Sequence, residues 1–311
     1  MNKIEFGDCR DIMRRWAQEG VKAQTCVTSP PYYGLRDYGH DGQIGMEETP
    51  KEYIAAMVEV FRCVRDVLAD DGTVWLNIGD SYCNSNGFAR ASPEYQREGR
   101  NNMPANDRKL DKLHATGLKT KDLIGIPWML AFALRADGWY LRQDIIWHKP
   151  NPMPESVQDR CTKAHEYIFL LSKSPKYYYD IEAIKEEMIG KPHAPKNKAN
   201  KNDGHLRNDV GTERMEKVWG ESGMANKRSV WTVTTKPYAG AHFAVFPTDL
   251  IEPCILAGAP VGGIVLDPFM GSGTTAQVAQ NLGRKYIGCE LNIDYKPLQD
   301  QRLMQQSLEF V

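Results

Sequence analysis

Paired cysteines and long apolar runs are both missing from this 311-residue chain. Its seven cysteines are odd in number and scattered, and no two of them form a Cys-x-x-Cys pair. This usage argues against a disulfide framework and structural zinc, and favours reduced thiols in a cytoplasmic protein. No stretch approaches the roughly 20 apolar residues of a membrane span, and the opening MNKIEFGDCR contains no secretory signal core. We therefore expect a cytoplasmic protein with no metal site and no membrane partner.

An excess of one charge is missing as well. The chain has 39 Lys and Arg against 40 Asp and Glu, a net charge of −1, which neither indicates nor excludes a nucleic-acid ligand. Two polar stretches interrupt the apolar pattern, at 84–122 and at 185–236. The second contains eleven Lys and Arg against seven Asp and Glu. Composition alone leaves two interpretations open, a solvated loop and an insertion that contacts nucleic acid.

What the sequence does contain is an alternation of strand and helix signals, which predicts an α/β fold with a doubly wound, mostly parallel sheet. Thr49, Pro50 and Glu52 are typical of a helix start with a capping box, and Gly72 is expected to end that helix. A further helix is predicted near 127–136. The predicted strands are 3–6, 24–27, 73–78, 139–147, 166–171, 263–266 and 285–289.

The segment Ser29-Pro30-Pro31-Tyr32 directly follows the predicted strand 24–27. Two successive prolines fix two φ angles, and by themselves they are typical of a connecting loop. Ligands in open α/β sheets bind beyond the carboxyl ends of the strands, which is where Ser29 and Tyr32 would lie. We therefore treat this rigid elbow as a candidate site.

A second candidate is the loop DPFMGSGTT at 267–275, between a predicted strand and a predicted helix. Gly271 and Gly273 permit a tight turn, and Glu290 ends the next strand, where a carboxylate can accept hydrogen bonds from ribose hydroxyls. The loop lacks the lysine of a P-loop, and Ala276 replaces the third glycine of a dinucleotide loop. The pattern favours a ligand with a ribose but no pyrophosphate, such as S-adenosylmethionine. If the strands are parallel, Asp8, the elbow, Asp267 and Glu290 share one edge.

TSPPY followed much later by DPFMGSGTT resembles the permuted, β-class amino DNA methyltransferases, in which the catalytic motif precedes the cofactor motif. The likeness spans nearly the whole chain. The supporting segments are IEFGDC (4–9), GTVWLNIGD (72–80), WYLRQDIIWHKPNPMP (139–154), HEYIFLLSKS (165–174), HFAVFPTDLIEPCI (242–255) and GRKYIGCELN (283–292). The resemblance implies a Rossmann-like methyltransferase fold with inserted DNA-recognition segments.

The resemblance also implies roles for individual residues. Ser29 and the Pro30 carbonyl would accept hydrogen bonds from the exocyclic amino group of a base flipped out of the duplex, and Pro31 completes the elbow. Tyr32 would stack on that base, so Tyr32→Phe is expected to retain most activity. S-adenosylmethionine, leaving as S-adenosylhomocysteine, would be bound by Asp8, Phe246, Pro247, Thr248, Asp267, Phe269, Gly271, Ser272, Gly273, Thr274, Glu290 and Asn292, with Cys9 included by adjacency only.

Within this family Ser-Pro-Pro-Tyr is usual for cytosine N4 and Asp-Pro-Pro-Tyr for adenine N6. The expected function is therefore site-specific methylation of DNA at cytosine N4, with adenine N6 as the alternative. More distant alternatives are an RNA or protein methyltransferase and a non-catalytic nucleic-acid-binding module. Double-stranded DNA is the expected partner, and family analogy adds a homodimer and a cognate restriction endonuclease.

The resemblance also suggests a division of the chain. Residues 1–184 would form the first part of a catalytic domain that includes the polar insertion 84–122. Residues 185–236 would be a target-recognition insertion. Residues 237–311 would be the cofactor-binding part of the same catalytic domain.

Overall fold

An eight-stranded sheet runs through the centre of the protein. The structure is a computed structural model, and it describes residues 2–35, 40, 42–83, 114, 116–188, 223–235 and 246–304. The sheet contains β1 (Asn2–Phe6), β2 (Ala23–Thr28), β3 (Leu68–Ile78), β4 (Tyr140–His148), β5 (His165–Ser172), β8 (Val230–Thr232), β9 (Ile264–Asp267) and β10 (Lys285–Glu290). A separate antiparallel pair consists of β6 (Glu186–Glu187) and β7 (Met224–Ala225).

Helices cover both faces of this sheet. They are α1 (Cys9–Gln18), α2 (Pro50–Val67), α3 (Ile126–Ala136), α4 (Thr248–Gly258), α5 (Thr274–Asn281) and α6 (Lys296–Met304), with short 3-10 turns at Glu182–Ile184 and Ile293–Tyr295. Helices α1, α2 and α3 pack into one apolar core, whereas α4 and α5 pack into a second. Two cores on opposite faces are what a doubly wound sheet requires, because its strands are buried on both sides.

The strand order is β1-β10-β9-β2-β3-β5-β4-β8. The first five strands are mutually parallel, β5 is antiparallel to both of its neighbours, and β8 is parallel to β4. The predicted α/β class with a mostly parallel sheet is therefore confirmed. As a result, the carboxyl ends of β1, β10, β9, β2, β3 and β4 meet at one edge, which also contains the start of β5.

Helix α2 shows one success and one error of the sequence analysis. The capping box is present, since the Thr49 side chain accepts from the Glu52 amide and the Glu52 carboxylate accepts from the Thr49 amide. The expected end at Gly72 is wrong, because the helix ends at Val67 and Leu68 is already extended. Leu68 is fully buried as the first residue of β3, so its packing in the core starts the strand four residues before Gly72.

Most of the two polar stretches, 84–122 and 185–236, lies outside the described residues. Where the structure does describe the second one, the Met188 amide donates to the Gly223 carbonyl at 3.0 Å, beside the β6–β7 pair. Strand β8 then joins the central sheet next to β4. The division of the chain into two catalytic parts and an insertion stays a prediction. None of the described helices is long and apolar enough to cross a membrane.

Candidate active site

A cavity of about 830 Å³ opens at the edge of the sheet where the strands end. Its wall follows the strand order. It includes Gly7 and Asp8 after β1, residues 290–292 at the end of β10, residues 267–272 at the end of β9, residues 29–32 after β2, Asn77 in β3, Glu166 in β5, and Trp147 and Lys149 at the end of β4. The elbow therefore stands in the middle of the wall. On one side of it lies the loop 267–275, called the glycine-rich loop below, and on the other side lie the polar residues Asn77, Glu166 and Lys149 of β3, β5 and the end of β4.

Buried contacts fix the elbow from behind. The Tyr53 hydroxyl, on the fully buried Tyr53 of α2, donates to the Pro31 carbonyl at 2.9 Å. Gly45 lies against the elbow so closely that an added Cβ would stand 3.2 Å from the Tyr32 carbonyl. The Ser81 hydroxyl donates to the Tyr33 carbonyl at 3.0 Å. With two proline rings and these contacts, the elbow has little conformational freedom left to lose on binding a ligand.

The side chain of Tyr32 faces a polar group. Its hydroxyl lies 2.8 Å from Glu166 Oε2 and 3.3 Å from Asn77 Oδ1. Lys149 forms an ion pair with the other oxygen of Glu166. Burial and the Glu166 charge raise the pKa of the Tyr32 hydroxyl well above its usual value of 10, so the hydroxyl keeps its proton. The Ser29 hydroxyl, at the other end of the elbow, lies 3.5 Å from the Tyr32 hydroxyl.

On the other side of the elbow, Glu290 organises the glycine-rich loop. Its Oε2 accepts from the Gly271 amide at 2.7 Å and its Oε1 from the Asn292 amide at 2.9 Å. Gly271 has a φ of +53°, a left-handed conformation that favours glycine. Burial raises the pKa of Glu290, and the two amide donors oppose that shift. Carboxylate oxygens have further lone pairs, so Glu290 can still accept from a ligand.

Asp267 makes contacts that the sequence analysis did not foresee. Its Oδ1 accepts from the Thr28 hydroxyl at 2.6 Å and the Phe269 amide at 3.0 Å, while its Oδ2 accepts from the Thr275 hydroxyl at 2.6 Å. The residue is 1% exposed, and burial raises its pKa to about 6 despite these three donors. Asp267 thus joins β9, β2 and α5, whereas direct contact with a cofactor stays a prediction.

Asp8 and Cys9 lie at the end of β1, on the same side of the cavity. The Asp8 carboxylate caps α1 by accepting from the Arg10 amide at 2.8 Å, and it also accepts from Arg10 Nε at 2.9 Å. This side-chain pairing lowers the pKa of Asp8. Burial raises the pKa of the Cys9 thiol to about 12, so it is no nucleophile at neutral pH.

The structure brings most of the predicted site residues together. Those that line the cavity are Asp8, Cys9, Ser29, Pro30, Pro31, Tyr32, Phe246, Asp267, Phe269, Gly271, Ser272, Thr274, Glu290 and Asn292. Pro247, Thr248 and Gly273 are not part of this wall. Pro247 precedes α4, the Thr248 hydroxyl donates to Asp249, and Gly273, at a φ of +88°, precedes α5 and faces Gln299. A role for these three residues in holding a ligand stays a prediction. Within the described ranges, no group of three or more His, Cys, Asp or Glu could hold a metal ion.

Comparison with known proteins decides the family. The model of a family described as "DNA methylase", that of the N6 and N4 methylases, matches residues 23–300. The chain belongs to this family. The predicted resemblance and enzyme class are thereby confirmed, and the protein is an S-adenosylmethionine-dependent DNA methyltransferase. A non-catalytic module and an RNA or protein methyltransferase are no longer needed as alternatives.

Individual relatives agree with this assignment. The chain is 48% identical to the Type II methyltransferase M.Cfr9I of Citrobacter freundii, over 96% of this chain and 86% of that one. It is 47% identical to the Type II methyltransferase M.SmaI of Serratia marcescens, over 97% and 90% of the two chains. Among solved structures, the PvuII DNA methyltransferase (cytosine-N4-specific) superposes with a TM-score of 0.61 at 18% identity, covering 97% and 86%. The M1.HpyAVI–SAM complex superposes with a TM-score of 0.55 at 18% identity, covering 97% and 100%. Both structures share the fold.

Among the cavity-wall residues that reasoning from the sequence missed are the three polar residues near Tyr32, namely Asn77, Lys149 and Glu166. All three lie at the strand edge that was used to find the other candidates, and each falls inside a segment already matched to the family. The strand-end argument extended to β3, β4 and β5 would have found them. Along the chain, Tyr32 is separated from Asn77 by more than 40 positions and from Glu166 by more than 130. The sequence near Tyr32 therefore gave no indication of these two contacts.

The Asp267 contacts in this methylase generate a pH-dependent prediction. Thr28→Val removes a donor that favours the ionised carboxylate, so we expect a loss of about 1.5–3 kcal/mol in unfolding free energy at pH 8. At pH 5 the folded wild type holds Asp267 protonated, because its pKa is raised to about 6, and the loss should fall to about 1 kcal/mol. Urea denaturation at both pH values measures the difference.

Thr25→Val is the matched control. Thr25 lies on the same strand and is equally buried, but its hydroxyl contacts the uncharged Thr73 carbonyl and hydroxyl. Its loss should be the same at both pH values. A Thr28→Val loss that does not change with pH would show that Asp267 does not change its protonation in this range.

Proposed function

We propose that this cavity binds S-adenosylmethionine on the Glu290 side and a base flipped out of duplex DNA on the Glu166 side, and that the acceptor amine is cytosine N4. One observation carries the proposal. The Ser29–Tyr32 elbow stands in the centre of one continuous wall, so both ligands would meet at its acceptor atoms. Adenine N6 is the alternative acceptor, since the family includes both chemistries.

The residues on the first side fit the cofactor. Ser272 lines the cavity, and its buried hydroxyl makes no hydrogen bond within the described part of the chain, so it is a polar group whose missing partner a bound ligand would supply. Glu290 offers acceptors suited to ribose hydroxyls, and Phe269 and Leu291 offer apolar surface suited to an adenine ring. When bound, S-adenosylmethionine supplies a methyl group on a positively charged sulfur, an electrophile that an amine can attack without a covalent enzyme intermediate.

The elbow residues supply what the amine lacks. An amino group conjugated to a ring is a weak nucleophile, and accepting hydrogen bonds from its N–H groups returns electron density to the nitrogen. That stabilisation grows as the nitrogen becomes positive, so it favours the transition state over the ground state. Ser29 and the Pro30 carbonyl are the acceptors we assign. The half-buried Tyr32 ring is the surface on which the flipped base would stack.

The choice of cytosine rests on Ser29. The family resemblance associates serine at this position with cytosine N4 and aspartate with adenine N6. Because the three relatives at 46–48% identity are named only as Type II methyltransferases, they support DNA as the substrate and leave the base to experiment.

The DNA would approach from the Glu166 side. Strand β8, in the proposed recognition segment 185–236, joins the sheet beside β4. A few residues on, Thr235 lines the cavity, and its amide donates to Asn151 Oδ1 at 3.0 Å while its carbonyl accepts from Asn151 Nδ2 at 3.1 Å. A segment whose end forms the cavity wall is well placed to couple base recognition to base capture.

Three further expectations belong to this proposal. A cognate restriction endonuclease follows from the Type II names of the relatives, a homodimer follows from family analogy, and a cytoplasmic location follows from the scattered cysteines. Light scattering of the purified protein, alone and with a duplex, would establish the oligomeric state.

The cofactor half of the proposal predicts an affinity change. Glu290→Ala removes the acceptor for the ribose hydroxyls and should weaken S-adenosylmethionine binding by about 1–3 kcal/mol, as for an unpaired buried hydroxyl. Gly271→Val should abolish binding, because φ is +53° there. Calorimetric titration measures both, with Tyr32→Ala as the control that retains wild-type affinity. Unchanged affinity in Glu290→Ala and Gly271→Val would remove the cofactor from this loop.

The catalytic half predicts the product and a rate. Nucleoside mass spectrometry of methylated duplex DNA should show N4-methylcytosine, and N6-methyladenine would keep the mechanism but reverse the choice of base. Ser29→Ala should slow methylation by about 10²–10³-fold, as for other transition-state hydrogen bonds. Cofactor affinity should not change in this variant. A wild-type rate in Ser29→Ala would contradict the catalytic role of the elbow.

The proposed role of residues 185–236 in DNA recognition predicts that DNA binding and cofactor binding can be separated. Deleting 192–211 should weaken DNA binding while cofactor binding persists, because Met188 and Gly223 still join the flanking chain. The wild-type affinity should fall steeply with salt, by about −0.9 in the log–log slope for each phosphate neutralised. Gel-shift titration at several salt concentrations measures both. If the deleted variant methylates the same site at the wild-type rate, residues 192–211 play no part in recognition.

A further inference from the structure

A serine at the first elbow position raises a question of hydrogen-bond direction. A hydroxyl both donates and accepts, whereas a carboxylate only accepts. Ser29 activates an amine only if its oxygen accepts from the amine, and its own proton must then point to another acceptor. The structure shows that acceptor. The Ser29 hydroxyl donates to the Tyr32 hydroxyl oxygen, at the long distance of 3.5 Å that catalytic hydrogen bonds often have before the substrate binds.

The Tyr32 oxygen accepts from the Ser29 hydroxyl only if the Tyr32 proton points away from Ser29. That proton points to Glu166 Oε2 at 2.8 Å, and Glu166 is a charged acceptor that Lys149 holds by an ion pair. Asn77 adds a second restraint, since Nδ2 donates to Glu166 Oε2 at 3.3 Å and to the Tyr167 carbonyl at 3.1 Å. The amide is thereby oriented with its oxygen toward Tyr32.

Backbone packing keeps the ring where this chain of bonds needs it. A Cβ added at Gly79 would lie 2.7 Å from Tyr32 Cε2, so the ring lies directly against the backbone at the end of β3. The glycine permits this approach, and the Tyr32 hydroxyl then reaches both Glu166 and Asn77.

We propose that Glu166 is a positioning residue that sets the hydrogen-bond direction along Glu166, Tyr32 and Ser29, so that the Ser29 oxygen is left as an acceptor for the target amine. The inference rests on the proposed function of the elbow and deepens it. It assigns the Tyr32 hydroxyl a role separate from the stacking of its ring. It also revises the expectation that Tyr32→Phe retains most activity.

The direct test compares Ser29→Ala, Glu166→Gln and the double variant. The glutamine is isosteric but can donate as well as accept, so the direction of the chain is no longer fixed. Single-turnover methylation, on a duplex carrying the site that the wild type methylates, should slow about tenfold in Glu166→Gln, the effect of about one hydrogen bond. Cofactor affinity should stay at the wild-type value, whereas the melting temperature should fall, because Lys149 loses its charged partner.

The double variant decides the mechanism. Without a hydroxyl at position 29, Glu166 has no hydrogen bond of residue 29 to orient. The double variant should therefore methylate at the same rate as Ser29→Ala alone. Losses that multiply would show that Glu166 acts elsewhere and would overturn the inference. A wild-type rate in Glu166→Gln would overturn it too, while a wild-type rate in Ser29→Ala would instead overturn the proposed function.

Tyr32→Phe provides an independent variant that leaves the Lys149–Glu166 ion pair intact. It should slow methylation about as much as Glu166→Gln, and the two together should be no slower than either alone. Full activity in Tyr32→Phe would overturn the inference even if Glu166→Gln folds poorly. Glu155→Gln is the matched control, because Glu155 also forms a partly buried ion pair, with Arg160, but lies outside the cavity wall. Its rate should equal that of the wild type.

Discussion

One buried carboxylate joins the two halves of the site. Strands β2 and β9 pair only through Thr25 with Val265 and Cys26 with Leu266. The backbone hydrogen bonds between the two strands therefore end before Asp267 and before the elbow. Beyond it, Asp267 accepts from the Thr28 hydroxyl, and Thr28 immediately precedes the elbow. The same carboxylate accepts from Thr275 in α5. The position of Ser29 relative to the glycine-rich loop therefore depends on Asp267.

That dependence explains why a charge is kept in the core. Removing a carboxylate from water raises its pKa, here to about 6, and the three hydrogen bonds that the carboxylate accepts offset only part of that shift. The gain is geometric. Two hydroxyls and one amide converge on a group of fixed shape, which sets the distance between segments that are 239 positions apart along the chain. An apolar pair would bury comparable area without fixing the direction of either segment.

The sequence was sufficient for the fold and for part of the cavity wall, for a physical reason. Strands buried on both faces leave unbroken apolar runs, and in a parallel sheet the residues that follow such runs must share an edge. Ser29, Gly271 and Glu290 were found in that way. The helix end at Gly72 was wrong because the burial of Leu68 outweighed the local signal of the glycine. Tertiary contacts between side chains leave no such local trace, and the engagement of Asp267 by Thr28 and Thr275 was therefore not predictable.

The charge already present in the cavity bears on why a serine stands at the elbow. Asp8, Asp267, Glu290 and Glu166 all line its wall, and Arg10 and Lys149 each pair with one of them. A fifth carboxylate at position 29 would stand beside Tyr32, next to Glu166, where like charges disfavour ionisation. A neutral hydroxyl avoids that repulsion, but it gives up the fixed acceptor character of a carboxylate. The hydrogen bonds from Ser29 to Tyr32 and from Tyr32 to Glu166 leave the Ser29 oxygen as an acceptor. The negative charge of Glu166 therefore acts on the amine through Tyr32 and Ser29 and not by direct contact.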